Sequence, residues 1–281
     1  MQSVTTLIAA PGAEPVLRAC VAERGIAVDW LGPGACDLTS TDEAAARAAI
    51  GEQPIDIVVQ PVTGRRKRLL VADLESTIIE NEMLEELADF LGLRAHVAEI
   101  TRRAMNGEID FVGALTERVA LLRGMPESVL GEAAQRIRLM PGARALIATL
   151  RRAGVTTALV SGGFTVFADR IAADLGFDRV VANRLDIADG KLAGTVRPPI
   201  VAGATKRDTL VALAQELGLA LDETLAVGDG ANDLPMLSVA GLGVAFRAKP
   251  TVAAASRWRV DHGDLTALLY AQGYREHEIF G

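Results

Sequence analysis

The sequence predicts an α/β protein: a Rossmann-like parallel-sheet core with a helical cap inserted after its first strand, preceded by a small ferredoxin-like unit. Three observations lead there. Apolar runs such as Leu69-Leu70-Val71-Ala72 show no polar alternation and end in polar or glycine-rich turns, as expected of parallel strands buried on both faces. Segments with apolar residues near a 3.6-residue period lie between these runs. One long stretch, about 78–140, carries helical patterns alone.

Residues 1–64 read as a small βαββαβ (ferredoxin- or ACT-like) domain. A strand at 4–9 is followed by a helix at 14–24, with Gly25 as its stop. Strands at 26–31 and 35–40 flank the turn Gly32-Pro33-Gly34. Thr41-Asp42 caps a helix running to Ile50, and 55–60 is a last strand. The unit holds no chemical constellation. An amino-acid-binding or dimerising module and a plain structural appendage both remain open. Arg65-Arg66-Lys67-Arg68 reads as a solvated linker before a strand, a nucleic-acid patch being the alternative.

Residues 65–281 form the second domain, opening on the strand 69–72. In the cap, Met83, Leu84, Leu87, Ala88 and Leu91 mark one helix, and 94–105, 110–122 and 126–139 mark three more. Its polar residues Glu82, Thr101 and Arg118 are within reach of a substrate or else are ordinary solvated helix positions. Pro141-Gly142 restarts the α/β pattern: helix 143–153, strand 156–160, helix 164–175, strand 180–182 and a hairpin at 185–196 around Asp189-Gly190. A helix opening at Thr205, a strand at 225–227, a helix at 234–239, a strand at 242–245 and a helix at 264–271 complete the chain.

The chemistry gathers at strand ends, where open α/β sheets bind ligands. Asp73 ends the strand 69–72, and Glu75 follows two residues on, so both carboxylates can face one reacting group. Such a pair suits a nucleophile and a proton donor; a polar strand cap is the plain alternative. Ser161-Gly162-Gly163 joins a strand to a helix and can bind phosphate through its hydroxyl and backbone N–H groups. Lys206 sits in the first turn of a helix, where the dipole disfavours it, so pairing with phosphate is a reason for its presence. Gly228-Asp229-Gly230-Ala231-Asn232-Asp233 offers hard oxygen ligands that suit Mg²⁺, although Asp233 alone also reads as a helix cap.

Composition bounds the rest. With 281 residues, half of them hydrophobic and 4% aromatic, aliphatic side chains must fill the core. A net charge of -7 argues against a general nucleic-acid binder. Cys20 and Cys36 make neither a disulfide framework nor a zinc site, and reduced thiols fit a cytoplasmic protein. The opening Met1-Gln2-Ser3 lacks the basic region of a signal peptide, and no apolar run reaches the roughly 18 residues of a membrane span.

Taken together, Asp73-Leu74-Glu75-Ser76-Thr77, Ser161-Gly162-Gly163, Lys206 and the 228–233 turn resemble, in order, the motifs of the phosphoserine phosphatases of the haloacid dehalogenase (HAD) superfamily, over about 68–245. In the cap, Thr101, Met105, Gly107 and Phe111, followed by Leu115, Arg118 and Val119, are similar to the phosphoserine-specific pattern. The resemblance implies a Mg²⁺-dependent hydrolysis of O-phospho-L-serine through an aspartyl-phosphate, the last step of serine biosynthesis. It makes Asp73 the nucleophile and Glu75 the acid and base. Asp73, Asp229 and the backbone carbonyl of Glu75 would bind Mg²⁺, with Asp233 beside the ion. Ser161, Gly162, Gly163, Asn232 and Lys206 would surround the phosphoryl group, with Arg118 on the substrate carboxylate, Glu82 on its ammonium and Phe111 on its apolar side. It implies a small-molecule substrate, no nucleic acid, no membrane, and room for a homodimer. The departure is Glu75, where the family usually has Asp; its extra methylene moves the carboxyl by roughly 1.5 Å unless the side chain folds back. A related phosphatase with homoserine phosphotransferase activity also carries Asp-Leu-Glu. Three readings follow: a phosphoserine phosphatase, a phosphatase or phosphotransferase acting on another small phosphorylated amino acid or alcohol, and an inactive ligand-binding homologue.

Overall fold

The computed structural model describes residues 3–23, 27–38, 43–105 and 108–281. The expected stop at Gly25, the cap at Thr41-Asp42 and Gly107 of the cap pattern lie outside them, as does the Met105 side chain.

The first unit runs Ser3–Ala9 (β1), Glu14–Glu23 (α1), Val28–Gly32 (β2), Ala35–Leu38 (β3), Glu43–Ile50 (α2) and Ile55–Pro61 (β4). Its strands pair antiparallel in the order β2-β3-β1-β4, the ferredoxin-like arrangement. Period-2 alternation gives the sheet two faces. One buries Leu7, Cys36 and Leu38 under Leu17 of α1 and Ile50 of α2. Ile8, Ala35 and Val58 join the main core of the larger sheet.

That larger sheet comprises Leu69–Ala72 (β5), Thr156–Phe164 (β6), Arg179–Ala188 (β7), Lys191–Arg197 (β8), Thr224–Gly228 (β9), Leu242–Phe246 (β10) and Trp258–Val260 (β11). The order is β11-β10-β9-β5-β6-β7-β8, parallel from β11 to β7, with β8 antiparallel on β7. Central strand β5 is fully buried, which explains its uninterrupted apolar run. The Asp189-Gly190 turn adopts positive φ at both residues (52° and 70°), the type I′ geometry that hairpins favour.

The cap consists of Met83–Asp89 (α3), Arg94–Met105 (α4), Phe111–Ala120 (α5) and Ser128–Ala134 (α6). Asp110 caps α5, its carboxylate accepting the Gly113 N–H at 2.7 Å. Two expectations need correction. Leu91 is exposed beyond the end of α3. The helix expected at 126–139 stops at Ala134, because the returning chain pairs with the outgoing one: Glu80 N–H donates to Arg138 O and Met140 N–H to Ile78 O, both at 2.9 Å. Two adjacent extended segments therefore connect cap to core, each satisfying the other's backbone.

Ala143–Arg152 (α7), Thr165–Leu175 (α8), Gly203–Glu216 (α9), Leu234–Val239 (α10), Pro250–Ala255 (α11) and Ala267–Ala271 (α12) complete the described helices. Strand β6 runs on through Ser161-Gly162-Gly163 to Phe164, with a register shift against β7, where a turn was expected. Helix α11 and strand β11 were not anticipated. Three residues, Trp258-Arg259-Val260, carry too little pattern to reveal a strand. The strand is held from outside: Trp258 Nε1–H donates to Val59 O of β4 at 2.6 Å.

The basic run at 65–68 is not a solvated linker throughout. Arg65 pairs with Asp37 at 2.6 Å and donates to Thr6 Oγ1 and Ala271 O, while Lys67 is buried and donates to Gly64 O and Asp222 O. Arg66 and Arg68 pair at the surface with Glu278 and Glu223. The run joins the small sheet to the large one. Among the described residues, no helix is long and apolar enough to cross a membrane.

Candidate active site

Adjacent parallel strands end together, so the residues that follow them converge at one edge. Asp73 follows β5 and still pairs as a strand, its N–H donating to Val227 O at 3.0 Å. Asp229 follows β9, and Ser161 lies near the end of β6. Asp73, Asp229 and Asp233 are buried, with one carboxylate oxygen from each all within 4.8 Å of one another. Asp233 turns back so that its Oδ2 accepts the N–H groups of Asp229 (3.1 Å) and Gly230 (3.0 Å). Only glycine permits this at 228, where an added Cβ would come within 2.3 Å of Asp233 Cγ.

Lys206, wholly buried in the first turn of α9, donates to Asp73 Oδ1 and Asp233 Oδ1, each at 2.6 Å. Burial pulls its pKa down, but Asp233 and Asp73 outweigh that and hold it above the ordinary lysine value. Burial, then the Asp233 charge, pushes Asp73 up to about 8 against the pull of Lys206. Burial likewise pushes Asp229 up to about 7, although Lys249 lies 3.1 Å from its Oδ2. Three buried carboxylates with too little compensating charge and an all-oxygen donor set fit a hard divalent cation.

Glu75 is not in that cluster. Its Oε1 accepts the Met83 N–H at 3.1 Å, at the start of the cap, and burial followed by repulsion from Glu82 and Asp73 pushes its pKa up to about 8. A carboxyl held protonated near neutrality can donate a proton. Ser76, at a positive φ of 53°, aims its hydroxyl at Glu82 Oε1 (2.7 Å), tying the loop after β5 to the cap entry. The glycine pair permits close approach from two sides: a Cβ at Gly162 would lie 2.7 Å from Phe111 Cζ, and one at Gly163 would lie 2.9 Å from Glu75 Oε1. Ser161 Oγ accepts the Gly163 N–H at 2.9 Å.

Across the cleft, Arg118 is buried, donating to Thr101 Oγ1 (2.7 Å) and Ala114 O (3.0 Å). Among the described residues no carboxylate lies within ion-pair range of it, so guanidinium donors remain free. Burial lowers its pKa, with Glu75, Glu82 and Glu85 opposing. Asp73, Glu75, Ser161, Gly162, Gly163, Asp229 and Asn232 of the core and Glu82, Phe111 and Arg118 of the cap all line one small cavity, joined by Leu84 and Leu115. Its volume is about 30 Å³. The Asn232 Oδ1 at its edge is buried without a partner. A larger groove, about 570 Å³, lies between the first unit and the α11–β11 edge, away from these groups.

The structure thus brings Asp73, Glu75, Glu82, Phe111, Arg118, Ser161, Gly162, Gly163, Asp229 and Asn232 around one cavity, with Lys206 bonded to Asp73 and Asp233 beside it. Two contributors were missed. Asn183 is buried and clasps the Ser-Gly-Gly segment, donating to Gly162 O (2.8 Å) and accepting Val201 N–H (2.8 Å); its signal was a lone amide within an apolar strand. Lys249 follows β10 at the same edge as the carboxylates, a strand-end position that invited the same attention as Asp73.

A model of haloacid dehalogenase-like hydrolases matches residues 70–238. This chain belongs to that family. It is 44% identical over 236 residues to the phosphoserine phosphatase of Streptomyces coelicolor, covering 84% of this chain and 57% of the relative. The chain therefore spans little more than half the length of that relative. Its match to the phosphoserine phosphatase of Lactococcus lactis is 46% over 203 residues, 72% of this chain and 94% of the relative. Among solved structures of the family, a HAD family hydrolase from Salmonella enterica serovar Typhi superposes with a TM-score of 0.84 at 29% identity, covering 96% of this chain and 98% of that one. That similarity spans both sheets.

Proposed function

We propose that the chain is a Mg²⁺-dependent phosphoserine phosphatase, with a small N-terminal domain (1–64) and a catalytic domain (65–281) acting in the cytoplasm. The observation that carries this reading is the pair Arg118 and Glu82, lining the same cavity as Asp73. A zwitterionic amino acid needs one group of each sign beside the phosphate site, and a buried guanidinium with free donors suits a carboxylate. Similarity to the curated phosphoserine phosphatases supports the same substrate.

In this reading Asp73, Asp229, Asp233 and the backbone carbonyl of Glu75 would hold Mg²⁺, which would supply positive charge to offset that of the phosphoryl oxygens. Lys206, Ser161 and the 162–163 backbone position the phosphoryl group, with Asn232 at its edge. An Asp73 oxygen attacks phosphorus as the bond to the serine oxygen breaks, and Glu75 gives its proton to that oxygen. Serine leaves. Glu75 then takes a proton from water, which attacks the aspartyl-phosphate, releasing phosphate and freeing Asp73. Phe111 packs on Gly162 and closes the apolar side against bulk water. The longer Glu75 side chain favours one second reading, transfer of the phosphoryl group to another alcohol.

The test is phosphate release from phosphoserine, phosphothreonine, phosphohomoserine and phosphoethanolamine, each with Mg²⁺ and with EDTA, and with added alcohol acceptors. Phosphoserine should be the best substrate, with activity lost in EDTA and restored by Mg²⁺. Full activity after metal stripping, or preference for phosphoethanolamine, would overturn the proposal.

A further inference from the structure

Lys249 has no part in the chemistry above, yet both its side chain and its backbone are fastened to one ion-site residue, Asp229. Its Nζ lies 3.1 Å from Asp229 Oδ2, and its backbone N–H donates to Asp229 O at 3.1 Å. Lys206 already serves Asp73 and Asp233. The lysines thus divide the cluster, and the cation facing Asp229 is Lys249 alone, since no other cation lies within ion-pair range of it among the described residues. The Asp229 side chain is 6% exposed and that of Lys249 is 36% exposed, so the ammonium stands at the rim with a path to move.

A divalent ion among Asp73, Asp229 and Asp233 must share Asp229 with this ammonium. The ammonium repels a dication twice as strongly as it repels a single proton at the same place. It therefore weakens metal binding more than it helps by keeping Asp229 ionised.

We propose, resting on the metal site of the preceding reading, that Lys249 is a positioning residue that stands in for the divalent ion on Asp229 and weakens ion binding. Nothing in the sequence motifs assigns this residue a role.

Calorimetric titration of Mg²⁺ into the metal-stripped full-length protein tests this without relying on turnover. Lys249→Met should bind Mg²⁺ about tenfold more tightly than wild type, and Lys249→Arg, which keeps the charge, should stay near wild type. Lys249→Gln, read beside Lys249→Met with circular dichroism, guards against a folding defect. Equal or weaker binding by both folded neutral variants, with wild type still binding, would overturn the role of Lys249 and leave the metal site standing. Absence of Mg²⁺ binding in every protein would overturn the metal site itself and this inference with it.

Discussion

Asp56 and Asp73 are both buried carboxylates, and the chain treats them in opposite ways. Asp56 lies where the small sheet meets the large one and accepts three backbone N–H groups, from Asp261 (2.8 Å), His262 (3.2 Å) and Gly263 (2.7 Å). Burial raises its pKa and those donors oppose the rise. Asp73 accepts from Lys206 but faces Asp233 and Asp229, which add to the effect of burial. Donors gathered around a carboxylate build an interface; like charges gathered around one store unfavourable energy that an ion or a reaction relieves. The remedy for the first is in the fold, and the remedy for the second comes from outside it.

The largest expected effect separates activity from stability at Asp73. Asp73→Asn should reduce phosphoserine turnover at least a hundredfold, since an amide cannot form the acyl-phosphate. The same change should raise the melting temperature of the metal-free protein by about 2 °C or more, because it removes a repelled buried charge. The pH dependence has a definite sign. Asp73 rises from 3.8 to about 8 on folding, so between those values the folded metal-free protein binds more protons than the unfolded chain, and stability falls as pH rises. Thermal melts in EDTA from pH 5 to pH 8 should show that fall, with a shallower slope in Asp73→Asn. A parallel slope would put the stored energy elsewhere.

Glu75→Gln should cost about 10² to 10⁴ in turnover of phosphoserine, the usual worth of a positioned proton donor. The loss should shrink for p-nitrophenyl phosphate, whose leaving group needs no proton. Equal penalties on both substrates would make Glu75 a structural carboxylate like Asp56. Arg118→Ala should reduce kcat/KM for phosphoserine about 10- to 100-fold while phosphoethanolamine, without a carboxylate, changes little. Matching losses would move Arg118 to the phosphate or to the packing of the cap.

How much of this contrast was legible in the sequence depended on how local each feature is. Asp73, Lys206 and the 228–233 turn follow apolar strands or open helices, so a strand-end rule finds them without knowing what they touch. The seam is different. Asp56 ends up beside Asp261, and Arg65 beside Asp37 and Ala271, through pairings that span two sheets, and nothing near them in the chain announces a partner. Arg65 and Lys67 looked like solvated charges for that reason. Strand β11 escaped because three residues leave no period to read. The sequence expects helix to run on to 139, whereas beyond Ala134 the returning backbone is claimed by residues 78 and 80. Glu75 was recognisable as a departure, but its raised pKa depends on Glu82 and on burial under the cap, which only the folded chain supplies.

The smallest effect on activity belongs to the seam. Asp56→Ala leaves three backbone donors buried without an acceptor and should destabilise the protein by about 1–3 kcal/mol, read by denaturant unfolding, while kcat per folded molecule stays near wild type. Loss of turnover in folded Asp56→Ala would mean that the two regions are not independent.

The most direct test of the account is acid-quenched turnover of ³²P-labelled phosphoserine with Mg²⁺, followed by peptide mapping. The expected result is label on the peptide that holds Asp73, released by hydroxylamine as an acyl-phosphate and absent from Asp73→Asn. Rapid phosphate release with no hydroxylamine-labile label on the wild-type protein, or label on any other residue, would contradict it.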